Sequence, residues 1–292
     1  MRGSREFAMQ KDKPSRTAQK IAIAMVTLGA KPEMAAILPP GVVAATEALL
    51  LASGLVGPRT IRWSKSRLTI AIYQAFDWML PGQFDALAHR KAFCERQVRE
   101  GIAAGATQVL ILGAGYDTIP WRLAPEFPPV NFVEIDHPAT ARLKAKGIAA
   151  MGRRENHVLI AEDLGARTLV DTLADNGSWD RRARTVVVAE GLLMYLSSDA
   201  VRGLFSQCAA ITGPGSRIAF SYFPTGADGR PDVGRWTGLM LWLQNLIGEP
   251  WLWGVRPEGL GPFLEEAGWK YDPTTAEDSG KHGGEYYAVA EK

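Results

Sequence analysis

The stretch Gln108-Val109-Leu110-Ile111-Leu112-Gly113-Ala114-Gly115-Tyr116-Asp117-Thr118 decides how the rest of the chain reads. Its opening is a short aliphatic run of the length and composition of a buried β-strand. The run stops at two glycines, which let the backbone turn sharply and approach a ligand with no Cβ in the way. Downstream, the same texture returns in VNFVEID (130–136), HVLIAEDL (157–164), RTVVVAEGLLMYL (184–196) and SRIAFSYF (216–223). Helical patterns over 138–150, 165–174 and 198–211 separate these runs. Strands apolar on both faces and joined through helices predict a parallel sheet covered on both sides, wound right-handedly into an α/β fold. The final EYYAVAE (285–291) alternates and is expected to pair antiparallel with its neighbour.

Upstream of about residue 105 no strand alternation appears, and apolar residues recur at helical spacing. Val42, Thr46, Leu49 and Leu50 share one face, as do Ile70, Tyr73 and Phe76, with Asp77 to Leu80 running on to a break at Pro81-Gly82. A further helix, 83–104, carries His89, Arg90 and Arg96 among Phe84, Leu87, Phe93 and Val98. The opening MRGSREFAMQ (1–10) reads as an expression-vector scar. The expected organisation is therefore a helical extension over 11–105 and an α/β domain over 106–292. Within the latter, a Gly/Pro- and Trp-rich insertion at about 223–257 has the length of a functional lid.

Composition removes several function classes. Hydrophobic residues make up 47% and charged residues 22%, the profile of a folded chain. Thirty-three basic side chains nearly cancel 31 acidic ones, which argues against a nucleic-acid partner. Cys94 and Cys208 form no CxxC pair, and the four histidines (89, 137, 157, 282) have no zinc-ligand spacing, so no metal is expected. GxSxG and GxxxxGK[ST] are both missing from the sequence. The apolar stretch 34–58 is broken by Pro39-Pro40-Gly41, Gly54 and Gly57, so packed helices are expected there and no stable membrane insertion. Cytoplasm is the expected location.

The glycine turn and the acids that follow point to a nucleoside cofactor. Asp136 lies 21 residues beyond Gly115, the spacing at which a carboxylate takes ribose hydroxyls. A dinucleotide fingerprint requires a third glycine, but Gly115 is followed by Tyr116, Asp117 and Thr118. Asp117 would repel a pyrophosphate and suits a ligand with ammonium or sulfonium charge. S-adenosylmethionine (SAM) is thus expected ahead of NAD. Asp163 and Leu164 follow the third strand, where they would meet the adenine, and Glu190 ends the fourth beside the methyl donor. Each acid taken singly also reads as a helix cap or surface carboxylate.

LGAGYDTIPWRL, FVEIDHP, EDL and VVAEGLLMYLSSDAV resemble the SAM-dependent leucine carboxyl methyltransferase family over roughly residues 90–204, with an echo in FLEEAGW near the C-terminus. The resemblance implies a seven-stranded class I methyltransferase sheet, Rossmann-like and doubly wound, with an N-terminal helical extension and a helical lid. It also implies roles by position. Gly113 and Gly115 would flank the methionine part of SAM, Asp136 the ribose, Asp163 and Leu164 the adenine, and Glu190 the ammonium end. Arg90, 23 residues before Gly113, would grip the SAM carboxylate through its bidentate fork, with Arg96 as competitor.

The family contains protein C-terminal carboxyl methyltransferases and small-molecule enzymes. Trp236, Trp242, Trp251 and Trp253 in the insertion favour a small, flat acceptor, although tryptophans equally fill a lid core. A carboxylate acceptor is the first expectation, because it is ionised at neutral pH and needs no base. For a phenol, Tyr195, His89 or His137 would supply the base or an activating hydrogen bond. Tyr195 otherwise packs beneath the cofactor, and His137 caps the following helix. Two other classes compete: an NAD-dependent oxidoreductase, and a non-catalytic SAM-fold subunit. A monomer or homodimer is expected.

Overall fold

The computed structural model describes residues 14–76, 82–226, 228–273 and 284–292. The opening ten residues, Asp77 to Pro81 and His282 lie outside them.

Five strands, β1 (Gln108–Leu112), β2 (Asn131–Asp136), β3 (His157–Ala161), β4 (Thr185–Ala189) and β5 (Arg217–Tyr222), form the parallel part of a sheet. β7 (Tyr286–Glu291) runs antiparallel beside β5, as its alternation predicts, and the two-residue β6 (Lys270–Tyr271) pairs antiparallel with β7. The order is β3-β2-β1-β4-β5-β7-β6. It reverses between β1 and β4, and the carboxyl ends of those two central strands open a crevice there.

Side chains of the central strands alternate between two cores. Leu110, Leu112, Val133, Ile135, Val187 and Ala189 face one side, under α9 (Leu169–Ala174), α10 (Ser198–Ala210) and α12 (Pro257–Glu266). Val109, Ile111, Phe132, Val186 and Val188 face the other, under α6 (Gln83–Ala103) and α7 (Ile119–Leu123). Both faces being covered explains why these strands read as unbroken apolar runs. β3, at the edge, is only half-buried. α6 lies so close to the sheet that a Cβ on Gly101 would meet Val186 Cγ2 at 2.1 Å. That contact sets the helix carrying Arg90 directly over the strand that ends at Glu190.

The described residues from 14 to 76 fold into helices joined by short turns: α1 (Arg16–Leu28), α2 (Pro32–Ile37), α3 (Val42–Ala52), α4 (Pro58–Ser64) and α5 (Arg67–Phe76). α1 buries Val26 with Leu49, Leu50 and Ile61, and the same cluster takes in Tyr116 of the glycine turn and Ile148 of α8 (Pro138–Met151). Ser15 caps α1 and takes a hydrogen bond from Ala18 N–H at 3.0 Å. Its own N–H donates to Thr140 Oγ1 on α8 at 3.1 Å. The insertion is not a bare connection, for it contains α11 (Thr237–Ile247). The helical pattern over 165–174 is realised as a shorter helix than its spacing predicts, because residues 164–167 form a turn and bend before Thr168 caps α9. No described helix is long and apolar enough to cross a membrane.

Candidate cofactor and acceptor site

The crevice at the topological switch encloses a cavity of about 140 Å³ that opens to solvent. Its floor is the glycine turn with Asp136 and Glu190–Leu192. α1 roofs it through Ala18, Ile21 and Met25, and α6 walls it through Arg90 and Lys91.

Gly113 and Gly115 hold φ of +62° and +47°, in the left-handed region that side chains disfavour. Cβ atoms there would meet Leu192 Cδ1 at 2.8 Å and Ala18 Cβ at 3.3 Å. The 21-residue spacing is realised as a contact: Gly115 N–H donates to Asp136 Oδ2. Burial pushes the Asp136 carboxyl above its ordinary range despite that bond. His137 caps α8, its Nδ1 accepting from Ala139 N–H at 3.4 Å.

Charges line the α6 side. Arg90 Nε donates to Glu190 Oε1, and its Nη1 donates to both oxygens of Glu285, all at 2.9 Å. Lys91 Nζ donates to Glu190 Oε2 at 2.9 Å and to Asp117 Oδ2. All five side chains are at most 9% exposed. Burial opposes the charged form of Asp117, but Lys91 and Lys144 outweigh it and hold the carboxyl below its ordinary range. Burial likewise opposes the charge on Arg90, and Glu285 and Glu190 more than restore it. The Gly191 turn is tied down by its N–H donating to Ser221 Oγ at 2.9 Å. Below the glycine turn, Lys144 pairs with Glu134 at 2.5 Å, Glu134 also meets His157 Nε2 at 2.9 Å, and both carboxylate partners are fully buried.

Gly113, Gly115, Asp117, Asp136, Glu190, Arg90 and Tyr195 therefore share one cavity. Arg96 sits on the exposed side of α6, with Glu100 at 3.7 Å. Asp163 and Leu164 are not on the cavity wall: Asp163 Oδ1 takes the Gly165 N–H at 2.9 Å, and Leu164 packs against the sheet core. None of the four tryptophans lines the cavity either. Trp253 is buried in the core beneath α12, and Trp242 is 59% exposed on α11. Trp236 precedes α11, with Arg235 stacked at 5.6 Å. Trp251 stacks on Phe223 at 4.5 Å and reaches the neighbourhood of Tyr195.

Sequence reasoning missed Lys91, Glu285 and Tyr116. Lys91 carried a readable signal, since it follows Arg90 and shares its helix face with the apolar Ala88 and Cys94, and cations seldom lie among such residues unless paired. Glu285 carried none, because only the sheet order brings the start of β7 to α6. Tyr116 is buried, its hydroxyl has no partner, and burial with the Asp136 charge pushes its pKa up to about 12.

A model of the family described as leucine carboxyl methyltransferase matches residues 48–209. A "Putative S-adenosyl-L-methionine-dependent methyltransferase" of Mycolicibacterium paratuberculosis is 30% identical over 159 residues, 54% of this chain and 50% of that protein. One of the same description from Mycobacterium bovis BCG is 34% identical over 143 residues, 49% of this chain and 39% of the relative. The chain thus spans about half the length, or less, of the curated relatives it matches. In fold it is similar to a crystal structure titled a putative methyltransferase from Thermobifida fusca (TM-score 0.58, 17% identity, 89% of this chain and 97% of that one). A DUF574-family protein from Streptomyces avermitilis is also similar (TM-score 0.55, 15% identity, 75% and 88%).

Proposed function

The chain belongs to the leucine carboxyl methyltransferase family, and from that premise we propose that it transfers the methyl group of SAM to an oxygen of a small molecule. The observation that carries this reading is the junction of Gly115 N–H with the Asp136 carboxylate inside a cavity whose other wall holds paired charges. When bound, SAM supplies an electrophilic methyl on a positively charged sulfur.

The residues fit that group. Glycines at positive φ leave room for the cofactor chain, and the Asp136 carboxylate, which takes the backbone N–H groups of Gly115 and His137, keeps lone pairs for ribose hydroxyls. In the buried network, Asp117, Glu190 and Glu285 are ion-paired with Arg90 and Lys91, and Lys144, which also acts on Asp117, is itself paired with Glu134, so a negative charge remains to favour a sulfonium. Arg90 Nη2, which lies 3.4 Å from where a Gly191 Cβ would be, is the group we assign to the cofactor carboxylate. A pyrophosphate would meet Asp117 at the turn, which disfavours NAD. α1 excludes water above the glycine turn, and alignment of acceptor oxygen with methyl carbon supplies much of the rate. We propose Asp163 and Leu164 for the adenine end outside the enclosed cavity.

An ionised carboxylate attacks without a base, whereas a hydroxyl needs a partner for its proton. Calorimetric titration with SAM and with NAD, followed by product-mass screening of matched phenols and carboxylates, tests the reading. SAM binding with a gain of one methyl on oxygen is expected; NAD binding in its place would overturn it.

A further inference from the structure

Arg90 is held from two sides, and one of its holders is not on the cavity wall. Arg90 and Glu190 both line the cavity, whereas Glu285, buried against the guanidinium, does not. Nε serves Glu190 and Nη1 serves both oxygens of Glu285, so Nη2 is the nitrogen that these two carboxylates leave over. It lies against Gly191, another wall residue, in space that a side chain there would crowd. Glu285 is fixed relative to α6 through Tyr287, two residues further along the chain. The Tyr287 hydroxyl donates to the Ala86 carbonyl at 2.9 Å, and its ring packs on Phe93 at 5.3 Å. Ala86 and Phe93 lie about one turn before and one turn after Arg90 on α6. In the sheet, Tyr287 pairs with Ser221, whose Oγ takes the Gly191 N–H. β7, α6 and the Gly191 turn thus close a frame around the guanidinium.

We infer that Glu285 is a positioning residue for cofactor recognition: it holds the guanidinium so that Arg90 Nη2 stays turned to the carboxylate at the cofactor's amino-acid end. This rests on the methyl-transfer reading and on its assignment of Arg90. The physical reason is competition between two carboxylates for one fork. A guanidinium left with a single carboxylate takes it through two parallel N–H bonds, the stronger geometry. Without Glu285, Arg90 would pair with Glu190 through Nε and Nη2 together, and Nη2 would be lost to the cofactor. Glu285 occupies Nη1 with both oxygens, pulls the opposite corner of the fork, and keeps Glu190 on Nε alone. Lys91 assists by drawing on Glu190 Oε2 at 2.9 Å. The negative charge of Glu285 acts the other way, since it repels an incoming carboxylate. Orientation and charge therefore give opposite signs for the effect of removing it.

The test is titration calorimetry with S-adenosylhomocysteine and with methylthioadenosine, which share the adenosine and the thioether but differ in the amino-acid end. Wild type, Glu285→Gln, Arg90→Ala and the double variant are compared. Glu285→Gln is expected to weaken S-adenosylhomocysteine about tenfold and to leave methylthioadenosine within about twofold, a split that general structural damage does not produce. Arg90→Ala should show the same selective loss. Adding Glu285→Gln to it should cost nothing further, because a residue that acts through Arg90 has no effect in its absence. Unchanged or tighter S-adenosylhomocysteine binding in Glu285→Gln overturns the inference, as do equal losses for both ligands or additive losses in the double variant. If Glu285→Gln does not fold, Glu285→Asp takes its place; it keeps the charge but draws the oxygens back by one methylene, and the same selective loss is expected. Two outcomes strike the underlying reading and the inference with it: wild type that binds neither ligand, which overturns methyl transfer, and an Arg90→Ala variant with an unchanged ligand ratio, which overturns the Arg90 assignment.

Discussion

Asp136 holds two tasks, the backbone N–H groups of Gly115 and His137 and, in our reading, the ribose hydroxyls. Asp136→Ala should weaken SAM binding by about 1–3 kcal/mol, the cost of leaving polar groups without their acceptor. Asp136→Asn keeps an oxygen for Gly115 and should lose less, and titration calorimetry of both variants reads the difference. Beneath it, Lys144 and Glu134 are a buried pair whose disruption strands a charge. Lys144→Met should cost about 3–5 kcal/mol in urea unfolding. The pH dependence follows from the sign of the shift. Burial would raise the Glu134 pKa, but Lys144 and His157 hold it below its ordinary 4.5. Its contribution to stability is therefore complete above that value and is lost as pH falls through the lower, folded one. Asp117 adds in the same direction, whereas Asp136, raised by burial, is relieved by acid. The Lys144→Met variant should accordingly lose less stability than wild type between pH 7 and pH 3.

At the scale of elements, the insertion divides into parts with opposite roles. Trp253 lies at 3% exposure among Leu260, Leu264 and the β5 side chains, so Trp253→Ala should cost about 3–5 kcal/mol of stability. Trp242 stands out from α11, and Trp242→Ala should stay within about 0.5 kcal/mol. Urea midpoints of the two variants check this, and equal losses would mean that α11 is packed differently. α1 acts as a roof because its N-cap is tied three ways: Ser15 meets Thr140 on α8, Glu249 beyond α11, and its own helix. The roof thereby touches both the glycine turn, through Ala18 on Gly115, and the segment after α11, through Glu249.

Over the whole molecule, a ligand seated at the switch point bridges α1, α6, the glycine turn and the β4 end. SAM at a hundred times its dissociation constant should then stabilise the fold by about 2.7 kcal/mol. That raises the melting temperature by roughly 4–5 °C in a chain of this size. A melting scan with SAM, and with NAD at the same concentration, should show the rise for SAM only.

The strands, their parallel pairing, the turning glycines and the acids at strand ends were legible in the sequence, because each is a local property: apolar runs of strand length, backbone freedom, and spacing along one chain. The family resemblance implied Arg90 with Arg96 as competitor; Arg90 lines the cavity, whereas Arg96 faces solvent. What only the tertiary structure decided is which distant groups meet. Glu285 reaches Arg90 because β7 inserts beside β5, and Glu249 reaches Ser15 because the insertion folds back under α1. Trp253 went to the core and Trp242 to the surface, although the two sit in the same apolar context in sequence. Local pattern sets what a residue is able to do, but partner and burial depend on packing between segments up to 234 residues apart, and no period in the sequence records that.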